Sequence, residues 1–298
     1  MARPCKVGVQ LPEVERFVPW PEYLDLARRA EAVGYDSVWV GDHLIYDLPD
    51  GSTRGPYEAW TTLAAIAAVT ERVEMGPLVA STSFHAPAML AKQAATVDAI
   101  SQGRLIVGLG TGWNRREFDA FGFAYDRRVS RFAEALAVIA PLLRDGRARF
   151  HGEFYDVDDC VLDPPPAREG GPPIMLGSNS PRMLSIGLPV VDAWNVWWSI
   201  YDNSVERFVE IKAEVDAAMP EGRNVDATAA VLVTLPGGRG RVMGETYDAP
   251  VTTVTPDDLG EHVRGLGAAG VTHVQLVLDP ITAESIETVG RVLADLDR

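Results

Sequence analysis

Short apolar runs alternate with longer helix-periodic stretches along almost the whole sequence, and few folds accept that alternation. Val7, Val9 and Leu11 form a short run ended by Pro12. After Pro21, the residues Tyr23, Leu26, Ala27, Ala30 and Val33 recur at helical spacing until Gly34, a natural helix stop. Asp36 to Val40 reads as a second strand. Two strands joined by a helix that packs back on them form a parallel βαβ unit.

The rhythm then repeats. The spacing predicts a helix over Pro56–Thr70, a strand over Val73–Val79, a helix over Pro87–Ile100 and a buried strand over Leu105–Gly110. Arg131–Leu143 continues as a helix, and residues 149–157 interrupt the pattern as a hairpin turning at Gly152. Pro164–Pro166 and Gly170–Pro173 are the most linker-like stretches, yet Ile174–Gly177 and Asp192–Trp197 resume as strands, so no domain boundary is placed there. Helix Val205–Ala218, strand Ala227–Leu235, helix Pro256–Ala269 and strand Val271–Leu278 bring the count to eight strands. Eight parallel strands with interposed helices predict an α/β TIM (β/α)8 barrel; a doubly wound sheet is the alternative. At 298 residues the chain suits one barrel domain over 1–298 with a hairpin excursion at about 146–162.

Composition narrows the function classes. A net charge of −15 has the wrong sign for neutralising nucleic-acid phosphates or sitting on anionic lipid. The longest aliphatic run, Leu63–Val69, is far short of a membrane span, and the first residues carry no signal-peptide core, so the protein is read as cytoplasmic. Two cysteines without a Cys-x-x-Cys spacing signal neither a disulfide framework nor a zinc site, and no metal is expected. There is no Gly-x-Ser-x-Gly elbow, P-loop, His-Glu-x-x-His or histidine pair on the first strand, which disfavours the familiar hydrolytic routes.

In such a barrel, chemistry sits where the strands end. The second strand runs into Gly41-Asp42-His43; a histidine there can move a proton near neutral pH, or be satisfied by a neighbouring carbonyl. His85 follows the third strand and is a second candidate, whereas His151, His262 and His273 have weaker claims. The fourth strand runs into Gly108-Leu-Gly110-Thr111-Gly112-Trp113, a turn that lets backbone approach a flat ligand or phosphate but lacks the dinucleotide fingerprint. Ser178-Asn179-Ser180, opening an apparent helix, suit an anion or merely a cap. Trp194, Trp197 and Trp198 line a pocket or pack the core. Glycine turns, hydroxyls, aromatics and one well-placed histidine suit a planar cofactor with a phosphate tail.

The stretches Ala30–His43, Ala86–Lys92, Thr96–Arg104 and Gly108–Trp113 together resemble the bacterial luciferase-like barrel oxidoreductases, which use reduced FMN or the deazaflavin coenzyme F420. Phe150–Tyr155 and Pro173–Gly177 are similar to the family as well. The resemblance implies that His43 lies by the reactive ring, that Thr111 and Gly112 run along the cofactor, and that Ser178, Asn179 and Ser180 hold its phosphate. It also implies a non-prolyl cis peptide after the third strand, near Pro77-Leu78, backing the ring, and a homodimer. Asp98 and Arg104 can pair to fix the turn before the fourth strand, a structural role.

Trp113 stands where the sugar-phosphate dehydrogenases of this family carry a glutamate, so a less charged substrate is expected, held between Trp113 and the pair Trp197 and Trp198. Arg115, Arg116 and Arg182 are candidates for offsetting an anionic cofactor, or are solvated surface charges. The implied activity is F420-dependent hydride transfer to or from a small apolar or aromatic substrate. The alternatives are an FMN-dependent two-component monooxygenase fed by a partner reductase, and a non-catalytic flavin-binding protein.

Overall fold

The computed structural model describes residues 3–238 and 252–298. In chain order the elements begin with β1 (Lys6–Gln10), α1 (Trp20–Ala32), β2 (Ser37–Val40), the small hairpin β3 (Tyr46–Asp47) and β4 (Thr53–Arg54), and α2 (Ala59–Val69). Next come β5 (Glu74–Pro77), β6 (Ala80–Ser81), α3 (Pro87–Ile100), β7 (Val107–Gly110), α4 (Arg115–Phe121) and α5 (Arg128–Asp145). The hairpin β8 (Arg147–His151) and β9 (Asp156–Val161) precedes β10 (Ile174–Gly177), α6 (Pro181–Gly187), β11 (Ala193–Val196) and α7 (Val205–Ala217). The chain ends with β12 (Asp226–Thr234), α8 (Pro256–Ala268), β13 (Val271–Asp279) and α9 (Ala283–Leu296).

All pairings in the main sheet are parallel, in the order β5-β2-β1-β13-β12-β11-β10-β7-β6. Its nine segments amount to eight staves, because β5 and β6 are two pieces of the third. The lower piece meets the fourth stave through the Met75–Leu105 bridge and the upper piece pairs Ala80 and Ser81 with Leu109 and Gly110, which closes the barrel. The expected barrel is therefore the observed one, and its strands are buried on both sides, as their near-continuous apolar runs require.

Local chemistry sets the boundaries. The α2 helix starts at Ala59 rather than Pro56 because the Glu58 carboxylate accepts the Trp60 and Thr61 N–H groups and caps it there. Each helix packs one face on the barrel: Tyr23, Leu26, Ala27 and Ala30 of α1, and Ile286, Val289 and Leu293 of α9, are buried. The excursion is an antiparallel hairpin whose turn is tied to α5, since Glu134 accepts the N–H groups of Glu153, Phe154 and Tyr155.

Below the fourth stave, the anticipated Asp98–Arg104 pair does not form. The Arg104 guanidinium instead donates to the carbonyls of Ala67, Thr70, Val73 and Ser101 and to the Thr70 hydroxyl, while Asp98 accepts the Arg168 N–H. Five donors in a planar fork suit a cluster of orphaned helix-end carbonyls better than one carboxylate. Among the described residues, no helix is long and apolar enough to cross a membrane.

Candidate active site

A cavity of about 480 Å³ opens at the C-terminal ends of the barrel strands, within the range that small-molecule sites occupy. Its floor follows from the interrupted third stave. The non-prolyl cis peptide lies between Leu78 and Val79, one bond beyond the expected Pro77-Leu78. Pro77 still belongs to β5, opposite Val40, whereas Leu78 and Val79 line the cavity. Val79 is pressed against the glycines of the neighbouring staves: a Cβ on Gly110 or Gly177 would come within 2.8 or 2.6 Å of its Cγ2. These glycines let the Leu78–Val79 segment lie close across the barrel mouth, where it forms a backing for a flat ligand.

His43 stands on the wall. Its Nδ1 lies 3.1 Å from both carboxylate oxygens of Glu117, a fully buried residue of α4. Glu117 Oε1 also accepts the Leu44 N–H at 2.6 Å and the Ile45 N–H at 3.4 Å, so the carboxylate is fixed by the backbone that carries the histidine. Nδ1 is thus committed as a donor, and the nitrogen left for a ligand is Nε2. Burial alone would lower the His43 pKa; the bond to Glu117 and the charges of Glu13, Glu117 and Asp42 outweigh it and raise the pKa above the ordinary imidazole value. The site therefore favours the protonated form of a half-buried imidazole beside an open cavity.

Two more carboxylates face the same space. Asp42 is buried, and its Oδ2 accepts the Ser81 N–H at 2.8 Å and contacts His85 Nε2 at 3.2 Å. Glu13 fills the room above Gly41, where a Cβ would lie 1.4 Å from Glu13 Oε1. Glu117 was invisible to sequence reasoning because Asn114-Arg-Arg-Glu117 reads as a helix-capping pattern. Asn114 does cap α4 by accepting the Arg116 N–H, but Glu117 crosses to residues 43–45 instead of folding back. Asp42 had a signal, its adjacency to His43 at a strand end.

The remaining expected residues divide. Thr111 and Gly112 line the cavity, and Gly112 has φ +73° where a Cβ would meet Ser81 Oγ at 2.5 Å. The Thr111 hydroxyl donates to the Gly112 carbonyl at 3.1 Å. Ser178 lines the cavity, whereas Asn179 and Ser180 lie outside its wall, with Ser180 at the start of α6. Trp113 is 46% exposed at the rim, edge-on to His43 with ring centroids 5.7 Å apart. Trp197 also lines the cavity. Trp198, 2% exposed, does not: it packs in the core, because the chain turns after β11 and sends successive side chains to different layers. Arg115 and Arg116 are ion-paired to Asp119 and Asp47, and Arg182 donates to Ser130 Oγ at 2.7 Å.

The donor set fits a flavin-like ring. Ser81 Oγ is buried at the cavity and has no hydrogen-bond partner among the described residues, a cost that a bound polar edge would remove. Under the floor, Asn195 donates to Thr228 Oγ1 and Gln275 Oε1, each at 2.8 Å, which holds its side chain at the cavity base.

Residues 6–237 match the family described as luciferase-like monooxygenase. The chain belongs to that family. Among luciferase-like relatives, a phthiodiolone/phenolphthiodiolone dimycocerosates ketoreductase of Mycobacterium tuberculosis is 30% identical over 264 residues, covering 82% of this chain and 68% of the relative. An F420-dependent secondary alcohol dehydrogenase, solved with an F420-acetone adduct, superposes with a TM-score of 0.76 at 19% identity over 100% of both chains. The oxygenating constituent of 3,6-diketocamphane monooxygenase from Pseudomonas putida, solved with FMN, superposes at 0.72 with 17% identity, over 99% of this chain and 98% of that one. Luciferase-like barrels thus include F420-dependent and FMN-dependent enzymes, and this chain is an oxidoreductase of that group.

Proposed function

We propose that the protein is an F420-dependent oxidoreductase that passes a hydride between the cofactor and a carbonyl or alcohol carbon of a small, apolar or aromatic substrate. The observation that carries this reading is the His43–Glu117 pair. A carbonyl that receives a hydride needs one proton on its oxygen, and a half-buried imidazole whose protonated form Glu117 favours, beside the cavity, supplies it. Leu78, Val79, Ser81, Thr111 and Gly112 would hold the cofactor ring, and Ser178, with Asn179 and Ser180 just beyond the cavity wall, would hold its phosphate. The deazaflavin supplies or accepts the hydride; Glu117 fixes the imidazole, His43 holds the proton at Nε2, and Trp113 and Trp197 exclude water. Names among the relatives, a ketoreductase and an F420-dependent alcohol dehydrogenase, support the same reaction class. A separate reductase would recycle the cofactor, and the active unit would be a homodimer.

The second reading, an FMN-dependent monooxygenase, is favoured by the likeness to the diketocamphane enzyme. Thermal unfolding with F420, FMN or reduced FMN separates the two. At about 100 times the dissociation constant a ligand adds about 2.7 kcal/mol, a shift of several degrees. A selective rise with F420 is expected; a rise with FMN alone favours the oxygenase, and no rise removes the cofactor assignment.

Trp113 is the specificity element at the rim. Trp113→Ala is expected to raise KM for an aryl ketone about tenfold, with a much smaller effect on a short aliphatic ketone. Unchanged turnover and substrate range in steady-state assays would remove Trp113 from the pocket.

A further inference from the structure

A hydride transfer to a carbonyl consumes one proton per turnover, and His43, with its side chain 16% exposed, faces the cavity that a bound ligand would fill. Glu117 behind the imidazole is sealed, with a side chain only 1% exposed, and its remaining contacts are backbone N–H groups. A ligand lying over Leu78–Val79 would cover the cavity side. In the second histidine–carboxylate pair only the carboxylate lines the cavity. There the carboxylate, Asp42, faces the cavity and the imidazole, His85, stands behind it with its side chain 14% exposed.

We propose that Asp42 and His85 form a proton relay between solvent and the cavity, with His85 acting through Asp42. The proposal rests on the hydride-transfer reading of the site. Asp42 Oδ2 can only accept from His85, so the ring carries its proton on Nε2, 3.2 Å away. Its Nδ1 makes no hydrogen bond among the described residues. In the reductive direction a solvent proton binds Nδ1, the Nε2 proton passes to Asp42 Oδ2, and the resulting carboxylic acid delivers it into the cavity, to the substrate oxygen or to His43. One proton enters and one leaves, the Asp42 carboxylate is regenerated, and the neutral ring recovers its tautomer by exchange with solvent. The oxidative direction runs the same steps backwards. The other neighbours suit a fixed relay: the Ser81 N–H pins Asp42 Oδ2 at 2.8 Å, and the uncharged Trp60 indole stands edge-on to His85 at 6.5 Å between centroids.

Two measurements test the relay. In the ligand-free protein, nitrogen-15 NMR reads the His85 tautomer: the proton is expected on Nε2 in the parent, and that preference is expected to be lost in Asp42→Ala. The same tautomer in both proteins overturns the dyad. With acetophenone as substrate, His85→Gln keeps an amide donor for Asp42 but cannot pass a proton. Its kcat is expected to fall about tenfold to a hundredfold with KM and the thermal midpoint nearly unchanged, and imidazole in the buffer is expected to restore much of it. If the parent turns over and His85→Gln equals it, or its loss is not rescued by imidazole, the relay falls while the functional reading stands. If the parent turns over no acetophenone with F420 or FMN, the functional reading falls and takes the relay with it.

Discussion

Glu117→Gln is expected to lower kcat about a hundredfold at pH 8 while leaving cofactor affinity within about twofold, because a general acid contributes a factor of this order and the hydrogen bonds of the Glu117 carboxylate go to the imidazole and to the backbone that carries it. The glutamine oxygen keeps the Leu44 and Ile45 N–H bonds, so what disappears is the negative charge that accepts from Nδ1. The sign of the pH effect follows from the raised His43 pKa. A group whose folded pKa lies above its ordinary value stays protonated, and contributes its stability, below about pH 6.5, and loses both as pH rises through the folded value. The alkaline limb of the kcat profile should therefore move to lower pH in Glu117→Gln, and His43→Asn should abolish it. A limb that stays in place in Glu117→Gln would show that His43 is not the proton source. Cofactor binding retained in an inactive His43→Asn would separate catalysis from a mere flavin-binding role.

The second large effect is on acid stability and comes from the opposite end of the barrel interior. His273, in β13, is buried between strands; Ser37 Oγ accepts from Trp39 Nε1 and lies 2.7 Å from His273 Nε2. Burial, helped by the charge of Lys6, pushes the His273 pKa down to about 3, so the fold holds the ring neutral. The unfolded chain takes up the proton near pH 6.5 and the folded one does not. Stability from this group is therefore complete above about pH 6.5 and falls as pH drops towards 3, by up to about 1.4 kcal/mol per unit. His273→Gln, which can still bond Ser37, is expected to flatten that limb in urea unfolding between pH 7 and 4. Comparing slopes rather than absolute stabilities cancels the cost of the substitution itself, and equal slopes in the two proteins would show that His273 is not buried neutral.

The barrel was legible because its signal is periodic. Each buried strand and each one-faced helix repeats its pattern within a dozen residues, and glycine or proline marks the joins. Positions at strand ends were legible for the same reason, which is how His43 and the Gly110–Gly112 turn could be singled out. What escaped depends on contacts across the fold. Glu117 meets His43 over 74 positions, and its local context spells a cap. The cis peptide was displaced by one bond because Pro77, Leu78 and Val79 are alike in an apolar run, and only the pressure of Val79 on Gly110 and Gly177 distinguishes them. Trp197 and Trp198 lie just past β11, where alternation no longer tells which side chain looks inward.

The fastening made by Arg104 has a consequence for change in this molecule. It ties the ends of α2 and α3 to the start of the fourth stave, at the end of the barrel remote from the cavity. Substitutions at Trp113, Trp197 or Ile200 leave every one of those bonds in place. The two ends can therefore diversify on separate schedules, and a combinatorial library over the mouth inherits a closure that none of its members has to re-invent.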